Sequence, residues 1–241
     1  MSAGLPLPRQ VYGHGFVLHR GEKMSKSVGN VVDPMELADL YGVDALRYFL
    51  LRDISFGQDG SFSDEAIVTR ANADLANSFG NLAQRTIAFI AKNLDGVLPG
   101  PGRAEPADAV LLDQVRAAGV EFRGHFAELG LSQALEAWMR GVFAGNQYID
   151  AEAPWALRKT DPERMHAVLR TLLRAIRDLA VLVLPVIPAA AGKVLDQLGA
   201  TARDHAALAD EGWLQELAAT DFRISAPTPV FPRLTLATSP A

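Results

Sequence analysis

Residues 161 to 184 carry an apolar repeat with the period of an α-helix. The apolar side chains recur every three or four residues, at Met165, Val168, Leu169, Leu172, Ile176, Leu179 and Val183. Thr160 or Asp161 is a suitable cap for this helix, and Pro162 fits its first turn. Because such a stripe is stable only when other helices cover it, we predict a bundle with this helix in its core.

Further helical patterns surround this segment. One begins after Ser63, has Asp64 and Glu65 in its first turn, and runs to about Leu94, where the connector "DGVLPGPG" ends it. Amphipathic stretches also cover 106–128, 132–151 and 189–199. We therefore predict a helical domain over 63–224 and, because prolines recur after residue 225, an extended tail over 225–241.

The first 62 residues have a mixed pattern. Val11–Leu18 is typical of a short strand, and "ISFGQDGSF" is typical of a loop. Between them, Asp33 and Pro34 begin a helix that Gly42 ends, and "VDALRYFLLRD" predicts a second helix. The predicted fold class is mainly α, with a small α/β module at 1–62 followed by an antiparallel helical bundle.

Composition excludes several kinds of site. The 241 residues contain no cysteine, so disulfides and thiolate metal sites are absent, and five scattered histidines show no ligand spacing. We expect no metal site. A net charge of −5 argues against bulk electrostatic capture of nucleic acid, although a few placed basic side chains could still read bases.

No segment predicts a membrane span or a signal peptide. The most apolar run, "LAVLVLPVIPAAAG", is short and contains two prolines, and the first ten residues lack the apolar core of a signal peptide. We expect a soluble, cytoplasmic protein without membrane contact.

The segment "GEKMSKSVGN", from Gly21 to Asn30, places two lysines three residues apart between glycines. By spacing alone, such a segment is typical of a solvated surface loop. Its setting adds information, because "KMSKS" resembles the second signature of class I aminoacyl-tRNA synthetases. The flanking "HGFVLHRGE" and "VGNVVDPMELADLYGVDALRYFLLRD" resemble the methionyl-tRNA synthetase family in detail.

This resemblance implies binding of ATP, together with Mg²⁺. The implied ATP-binding residues are Lys23, Ser25, Lys26, Ser27, His14 and Gly15. In the family's reaction a carboxylate attacks the α-phosphate and pyrophosphate leaves, so ammonium groups on a closing loop stabilise the developing negative charge. Lys23 and Lys26 are the implied catalytic residues, with Lys26 acting on the transition state.

A second pattern lies in the long helix, where "NSFGNLAQR" places Asn77, Asn81 and Arg85 four residues apart. By spacing alone this is a polar stripe opposite a core. The pattern "N-L-A-x-R" also resembles the anticodon-reading helix of the family. The resemblance implies that Asn81 and Arg85 contact bases.

"NQYIDAEAPWALRK" contains the other implied contact. Pro154 should break or restart a helix, so Trp155 falls at a junction, where a core role is the usual one. The family's A-P-W motif instead implies that this indole stacks on an anticodon base of tRNA(Met), with Asp150 as a nearby acidic contact. We interpret Trp138 and Trp213 as packing residues.

The sequence also departs from the family. The resemblance extends from about Leu5 to Leu234, yet no HxGH tetrapeptide, the first class I signature, occurs in it. The favoured interpretation is a methionine-tRNA ligase portion that is inactive alone and needs a separate N-terminal catalytic half. The alternatives are a non-catalytic, free-standing tRNA anticodon-binding module and a helical scaffold that uses neither site.

Overall fold

The computed structural model describes residues 10–200, 211–219 and 221–236. The helices are α1 (Pro34–Tyr41), α2 (Val43–Asp53), α3 (Asp64–Arg70), α4 (Asn81–Asn93), α5 (Pro106–Ala127), α6 (Leu131–Glu152), α7 (Pro154–Thr160), α8 (Pro162–Val183), α9 (Pro188–Gln197) and α10 (Glu211–Ala218). A π-helix spans Ala71–Gly80, and the strands are β1 (Val17–His19), β2 (Glu22–Lys23), β3 (Gly60–Phe62), β4 (Val97–Leu98) and β5 (Phe222–Arg223). The predicted class is confirmed: mainly α, with a small α/β module at the start.

The α/β module is built on a three-stranded sheet in the order β2-β1-β3. A tight turn joins β1 to β2 antiparallel, and its two central residues, Arg20 and Gly21, have φ of 51° and 84°. Turns of this kind need positive φ at both positions and match the twist of the strands. Six buried side chains form the core of the module: Leu37, Tyr41, Leu46, Phe49, Phe62 and Ile67.

Two predictions in this module, one of a strand and one of a loop, are wrong in part. The predicted strand over Val11–Leu18 is reduced to β1, because only that segment has strand partners on both sides. The loop predicted over "ISFGQDGSF" ends in β3, which pairs in parallel with β1. The amide of Gly60 donates to the carbonyl of Phe16 (2.9 Å), which brings these two distant segments together.

The two short helices of the module end and begin as predicted. The Asp33 side chain accepts a hydrogen bond from the amide of Met35, and Pro34 opens α1. Gly42 has φ of 86°, a backbone angle that favours glycine, and it separates α1 from α2. The structure confirms both helices.

The predicted helix from Ser63 to about Leu94 is confirmed in extent but not in type. The Ser63 hydroxyl caps α3 by accepting from the amide of Ala66 (3.2 Å). After α3 the helix widens into the π-helix and then returns to α-helix in α4. The Ser78 hydroxyl donates to the carbonyl of Ala73, five residues earlier, at 2.8 Å.

The bundle forms the larger part of the molecule. Helices α5 and α6 are joined by three residues and pack against α8, whose apolar side chains are buried along its length. The predicted ranges for α5, α6, α8 and α9 agree with the structure within two residues at each end. Trp138 donates to the carbonyl of Leu179 (2.9 Å) and Trp213 to that of Leu198 (3.1 Å), so both tryptophans are packing residues as predicted.

The C-terminal tail (residues 221–236) runs back across the bundle towards the α/β module. It begins with β5, which pairs with β4 and lies before the predicted tail, and the described residues 225–236 of that tail contain no helix. The Asn72 side chain accepts from the amide of Leu234 (2.8 Å) and donates to its carbonyl (2.9 Å). Leu234 thereby packs against the core of the module and the core of the bundle.

The division at residues 62 and 63 stays a prediction. Ile67, which follows the predicted boundary, packs in the core of the module, while Ala45 and Tyr48, which precede it, pack in the core of the bundle. The ends of the predicted ranges at 1–9 and 237–241 lie outside the described residues.

Candidate functional site

The lysine loop is anchored at both ends. Met24 and Val32 are partly buried against the core of the α/β module, whereas Lys26, Ser27, Val28 and Gly29 between them are exposed. The anchors hold the base of the loop while its tip stays in solvent.

A side chain that the sequence analysis did not single out closes this loop. The Asn30 amide group accepts from the backbone amide of Ser25 (2.9 Å) and donates to the carbonyl of Lys23 (3.3 Å). The amide of Gly29 donates to the carbonyl of Ser25 (3.2 Å), and Gly29 has φ of 72°. Asparagine after glycine in a turn is a weak signal, and its partners become visible only in the structure.

The two serines of the loop bond to each other. The Oγ atoms of Ser25 and Ser27 are 3.1 Å apart, and the Ser25 hydroxyl also accepts from the amide of Val28 (3.3 Å). Both hydroxyls therefore lie at the same side of the loop, where they could turn together towards an oxyanion.

The two lysines differ in their surroundings. The Lys23 ammonium lies 4.1 Å from the centre of the Phe16 ring, which places it in a cation–π contact. Lys26 is exposed at the loop tip, and within the described residues it forms no ion pair with a carboxylate. One cation is thus positioned and the other is free to meet a ligand.

His14 and Gly15 come before β1 rather than within the predicted strand. His14 is exposed, and its Nδ1 donates to the carbonyl of Gly15 (2.7 Å). Gly15 lies against the turn that leads into β3, and a Cβ there would be 2.1 Å from the carbonyl oxygen of Gln58. The structure therefore gives Gly15 a close-packing role and leaves His14 open to solvent.

The second predicted site lies on the bundle, where α4, α6 and α7 meet. The Arg85 guanidinium lies 5.1 Å from the centre of the Trp155 ring, and its Nη2 is 2.6 Å from the Asp150 carboxylate. Trp155 is 46% exposed, so it is not sealed in the core. These three side chains, distant in sequence, are brought together on one surface.

The backbone conformation of Ala153 sets the direction of the chain before Trp155. Helix α6 ends at Glu152, and Ala153 then takes a left-handed conformation, with φ of 42° and ψ of 64°. Pro154 begins α7, as the sequence predicted, and Trp155 follows in its first turn. Positive φ in alanine is unfavourable by about 1–2 kcal/mol, so the surrounding structure has to hold this turn.

An ion-pair cluster lies beside this turn. The buried Arg164 guanidinium donates to both oxygens of Asp108 (2.8 and 2.7 Å) and to Glu152 (2.8 Å), and Tyr148 also donates to Asp108. Burial raises the pKa of Asp108, but the hydrogen bonds from Arg164 and Tyr148 outweigh it, and the pKa is lowered overall. Burial and the adjacent Asp108 carboxylate raise the pKa of Tyr148. The sequence analysis missed this cluster, because its members are spread over 57 positions of the chain.

Asn81 is exposed one helical turn before Arg85, at the start of α4. It lines a cleft of about 550 Å³ together with Asn77, Gln84 and the tail residues Pro229 to Phe231. Arg85 and Trp155 line a separate cavity of about 410 Å³ with Lys92 and Asn93. The predicted residues thus occupy two neighbouring concave surfaces along one helix.

The described residues give two further results. In residues 10–200, 211–219 and 221–236, no group of three or more His, Cys, Asp or Glu side chains is arranged to hold a metal ion. Across the same ranges, none of the helices combines the length and the apolar character needed to cross a membrane.

Comparison with known proteins shows two matching family models. One, described as tRNA synthetases class I (M), matches residues 1–87, and the other, described as the anticodon binding domain of methionyl tRNA ligase, matches residues 98–238. Together they include the lysine loop, Asn81 and Arg85 in the first match and Trp155 in the second.

Curated relatives with about half of their residues identical to this chain are named methionine–tRNA ligase. The methionine–tRNA ligase of Brucella melitensis biotype 1 is 52% identical over 233 residues, covering 97% of this chain and 45% of the relative. That of Mesorhizobium japonicum is 54% identical over 202 residues, covering 84% and 39%. The chain therefore spans less than half the length of these relatives.

A solved structure is similar over the same extent. Mycobacterium tuberculosis methionyl-tRNA synthetase in complex with methionyl-adenylate superposes with a TM-score of 0.86 at 47% identity, covering 96% of this chain and 46% of that one. The apo form of the enzyme from the same organism has a TM-score of 0.83 at 43% identity, covering 97% and 45%.

Proposed function

The chain belongs to the methionyl-tRNA synthetase family of class I aminoacyl-tRNA synthetases, and from this membership we propose that it serves the ATP-dependent attachment of methionine to tRNA. Its lysine loop would act on the triphosphate, and its bundle would bind the anticodon. We place this activity in the cytoplasm, where translation uses charged tRNA.

The loop is suited to the charge that moves during activation. The methionine carboxylate oxygen bonds to the α-phosphorus while the bond from that phosphorus to the pyrophosphate oxygen breaks. Negative charge accumulates on the leaving pyrophosphate, where Lys26 and Lys23 would donate hydrogen bonds. Lys26 is exposed and pairs with no carboxylate among the described residues, which supports this role because closure of the loop need not first break an ion pair there.

Magnesium is implied by ATP, but the described residues do not form a carboxylate cage for it. Mg²⁺ is commonly held by phosphate oxygens and water rather than by an all-protein site. We propose that any magnesium enters bound to ATP. No side chain of this chain is proposed to coordinate it.

The observation that carries the anticodon assignment is the contact of Arg85 with the half-exposed Trp155. A splayed base can stack on the free indole face while the guanidinium donates to its edge. Asp150 orients Arg85 and adds an acceptor beside it. Asn81, on the neighbouring cleft, would donate and accept hydrogen bonds at an adjacent base.

Binding of an anticodon stem-loop of methionine tRNA to the 241-residue polypeptide tests this proposal. Fluorescence anisotropy should show saturable binding, and Trp155→Ala should weaken it by about 5–150-fold, since stacking contributes about 1–3 kcal/mol per base. Phe143→Ala is the matched control, because Phe143 is an exposed aromatic residue of α6 that lines a different surface groove. Equal affinity of the Trp155→Ala variant and the unaltered chain would refute the anticodon assignment.

The loop needs a separate test. Tripolyphosphate should bind the polypeptide, and Lys26→Ala should weaken that binding, whereas Lys193→Ala, an exposed lysine of α9, should not. A Lys26→Ala variant with unchanged tripolyphosphate affinity would contradict the role of the loop.

Full activity is proposed to require a polypeptide that carries HxGH, which these 241 residues do not contain. We expect the 241-residue polypeptide alone to give no methionine-dependent exchange of pyrophosphate into ATP. Addition of a separately produced HxGH-bearing catalytic half should restore exchange. Exchange by the polypeptide alone would overturn this expectation. The non-catalytic RNA-binding alternative is not favoured, because it gives the lysine loop no use.

A further inference from the structure

A groove between α5 and α8 contains an excess of positive charge. It has a volume of about 140 Å³, and its polar lining consists of Arg116, Arg123, Arg174 and Asp178. Three guanidinium groups thus face one carboxylate, in a chain whose net charge is −5. The groove shares no residue with the cavity around Trp155 or with the lysine loop.

The carboxylate in the groove is already engaged. Asp178 accepts from Nη1 of Arg177 at 2.8 Å, and Arg177 itself is buried and does not line the groove. Burial raises the pKa of Asp178, although Arg177, Arg174 and Arg116 oppose that rise. One carboxylate that is already hydrogen-bonded to Arg177 is therefore shared among the three arginines that line the groove.

The arginines retain unused donors. The Nε atom of Arg174 is buried and has no hydrogen-bond partner, and in the described part of the chain Arg123 forms no ion pair. Arg116 contacts Asp113, one turn earlier on α5, through one nitrogen only. The Arg174 Nε atom is too buried for a ligand to reach, but Arg116 and Arg123 keep N–H groups from which an oxyanion in the groove can accept.

The size of the groove limits what the acceptor can be. At about 140 Å³ the groove is well below the roughly 300–1,000 Å³ of pockets that take drug-sized ligands, so it suits a small anion. Gly119 keeps the space open, because a Cβ there would lie 3.2 Å from the Leu182 side chain and 3.6 Å from Nη1 of Arg123. Planar guanidinium forks match the oxygens of phosphate.

We propose that the α5–α8 groove binds a phosphate-type oxyanion, held by Arg123 and Arg174 with Arg116 at its rim. The oxyanion would accept from arginines of both helices and would thereby link α5 to α8. This proposal stands on the groove alone and does not rest on the proposed function of the lysine loop or of Trp155.

Phosphate titration followed by two-dimensional NMR tests the site. The protein carries Lys23→Ala and Lys26→Ala, so that the lysine loop contributes no phosphate binding, and potassium phosphate is compared with potassium chloride at equal ionic strength. The backbone amide of Gly119 serves as the reporter. We expect a saturable shift with phosphate and none with chloride.

Arginine variants assign the shift to the groove. Arg174→Gln and Arg123→Gln should each weaken phosphate binding at least tenfold. Arg140→Gln is the matched control, because Arg140 is an exposed arginine of α6 that pairs with Glu121 outside the groove. Arg123 is itself exposed, so its replacement keeps the test valid even if Arg174→Gln fails to fold. Absence of a saturable phosphate shift, or unchanged affinity in Arg123→Gln, would overturn the proposal.

A second arm distinguishes free phosphate from the backbone of RNA. If RNA supplies the oxyanion, both variants should weaken binding of the anticodon stem-loop and reduce the salt dependence by about one phosphate contact. If the source is free phosphate, RNA affinity should be unchanged while phosphate binding is lost. Either result supports the site and identifies its ligand.

Discussion

Replacement of Arg164 by methionine is the most informative change to the bundle. The Arg164 side chain is 3% exposed, donates to Asp108 through Nη1 and Nη2, and donates to Glu152 through Nε and Nη2. Methionine fills a similar volume without donating a hydrogen bond. The variant therefore leaves two carboxylates without their cation while it changes the packing little.

The loss should be large. Removing one partner of a buried ion pair destabilises a protein by about 3–5 kcal/mol, because the other charge stays buried and uncompensated. A single domain is stable by about 5–15 kcal/mol, so this loss is a fifth of the total or more. Arg140→Met is the control, since the exposed pair of Arg140 with Glu121 should contribute only about 0–1 kcal/mol.

The dependence on pH separates this mechanism from a packing defect. In the unaltered protein the pKa of Asp108 is lowered, so its stabilising contribution is present above the unfolded value of about 3.9 and is lost as pH falls through the lower folded pKa. In Arg164→Met, burial without the guanidinium should raise the folded pKa of Asp108. Its contribution is then favourable at low pH and is lost as pH rises through that raised pKa.

Urea unfolding followed by circular dichroism measures both effects. The difference in unfolding free energy between the unaltered protein and Arg164→Met should grow from pH 4 to pH 7. Adding Asp108→Asn to Arg164→Met should recover part of the loss, since it removes the unpaired charge. A loss below about 1 kcal/mol, or one that is equal at the two pH values, would refute the assignment of the loss to an uncompensated charge.

Three smaller changes test local features. Gly15→Ala should destabilise the sheet by about 1–3 kcal/mol, because the new Cβ would lie 2.1 Å from the carbonyl oxygen of Gln58. Hydrogen exchange should then be faster at the β3 amides, and equal exchange rates in the variant and the unaltered protein would contradict this. Asn72→Ala removes both hydrogen bonds to Leu234, so trypsin should cleave the C-terminal tail faster, and an unchanged cleavage rate would show that the tail is held by other contacts. Asp33→Ala removes the cap of α1 and should lower the unfolding free energy, measured by urea denaturation, by about 1 kcal/mol. An unchanged unfolding free energy would show that the cap does not stabilise the protein.

The helices were predictable because their signals are local. The cap of α1 and its end at Gly42 depend on residues within the helix itself or beside it. The apolar stripe of α8 likewise identifies a buried helix without knowledge of its neighbours. Period and capping therefore sufficed for the larger part of the fold.

The strand β3 and the π-helix were not predictable in this way. β3 consists of Gly60, Ser61 and Phe62 within a glycine-rich segment, and it is a strand only because β1, about 40 positions earlier, pairs with it. The π-helix lies where the tail packs closely: a Cβ on Gly80 would be 2.9 Å from the Phe231 ring. β3 depends on a contact between distant segments and the π-helix lies beside one, and periodicity does not report such contacts.

The candidate sites also depend on contacts between distant segments, which spacing in the sequence does not reveal. Spacing placed Asn81 and Arg85 on one helix but could not bring Trp155 to them, since 70 positions separate it from Arg85. The resemblance to a family supplied that expectation. The structure adds the left-handed Ala153 and the neighbouring Arg164 cluster, neither of which has a signature in the sequence.

An acidic chain can bind RNA selectively if its few cations are already positioned, and the surface around Trp155 has this property. Arg85 is held between the Asp150 carboxylate and the indole face before any ligand arrives. Ordering a long side chain on binding costs about 0.5–1.5 kcal/mol, and a preorganised arginine avoids much of that cost. Asp150 also offsets the charge of Arg85, so we expect weak non-specific attraction to phosphates there, and in the proposed function affinity would depend on stacking and on base edges. The net charge of −5 and the proposed anticodon surface are therefore consistent, because the first suppresses binding to RNA in general and the second restores it for a base of the right shape.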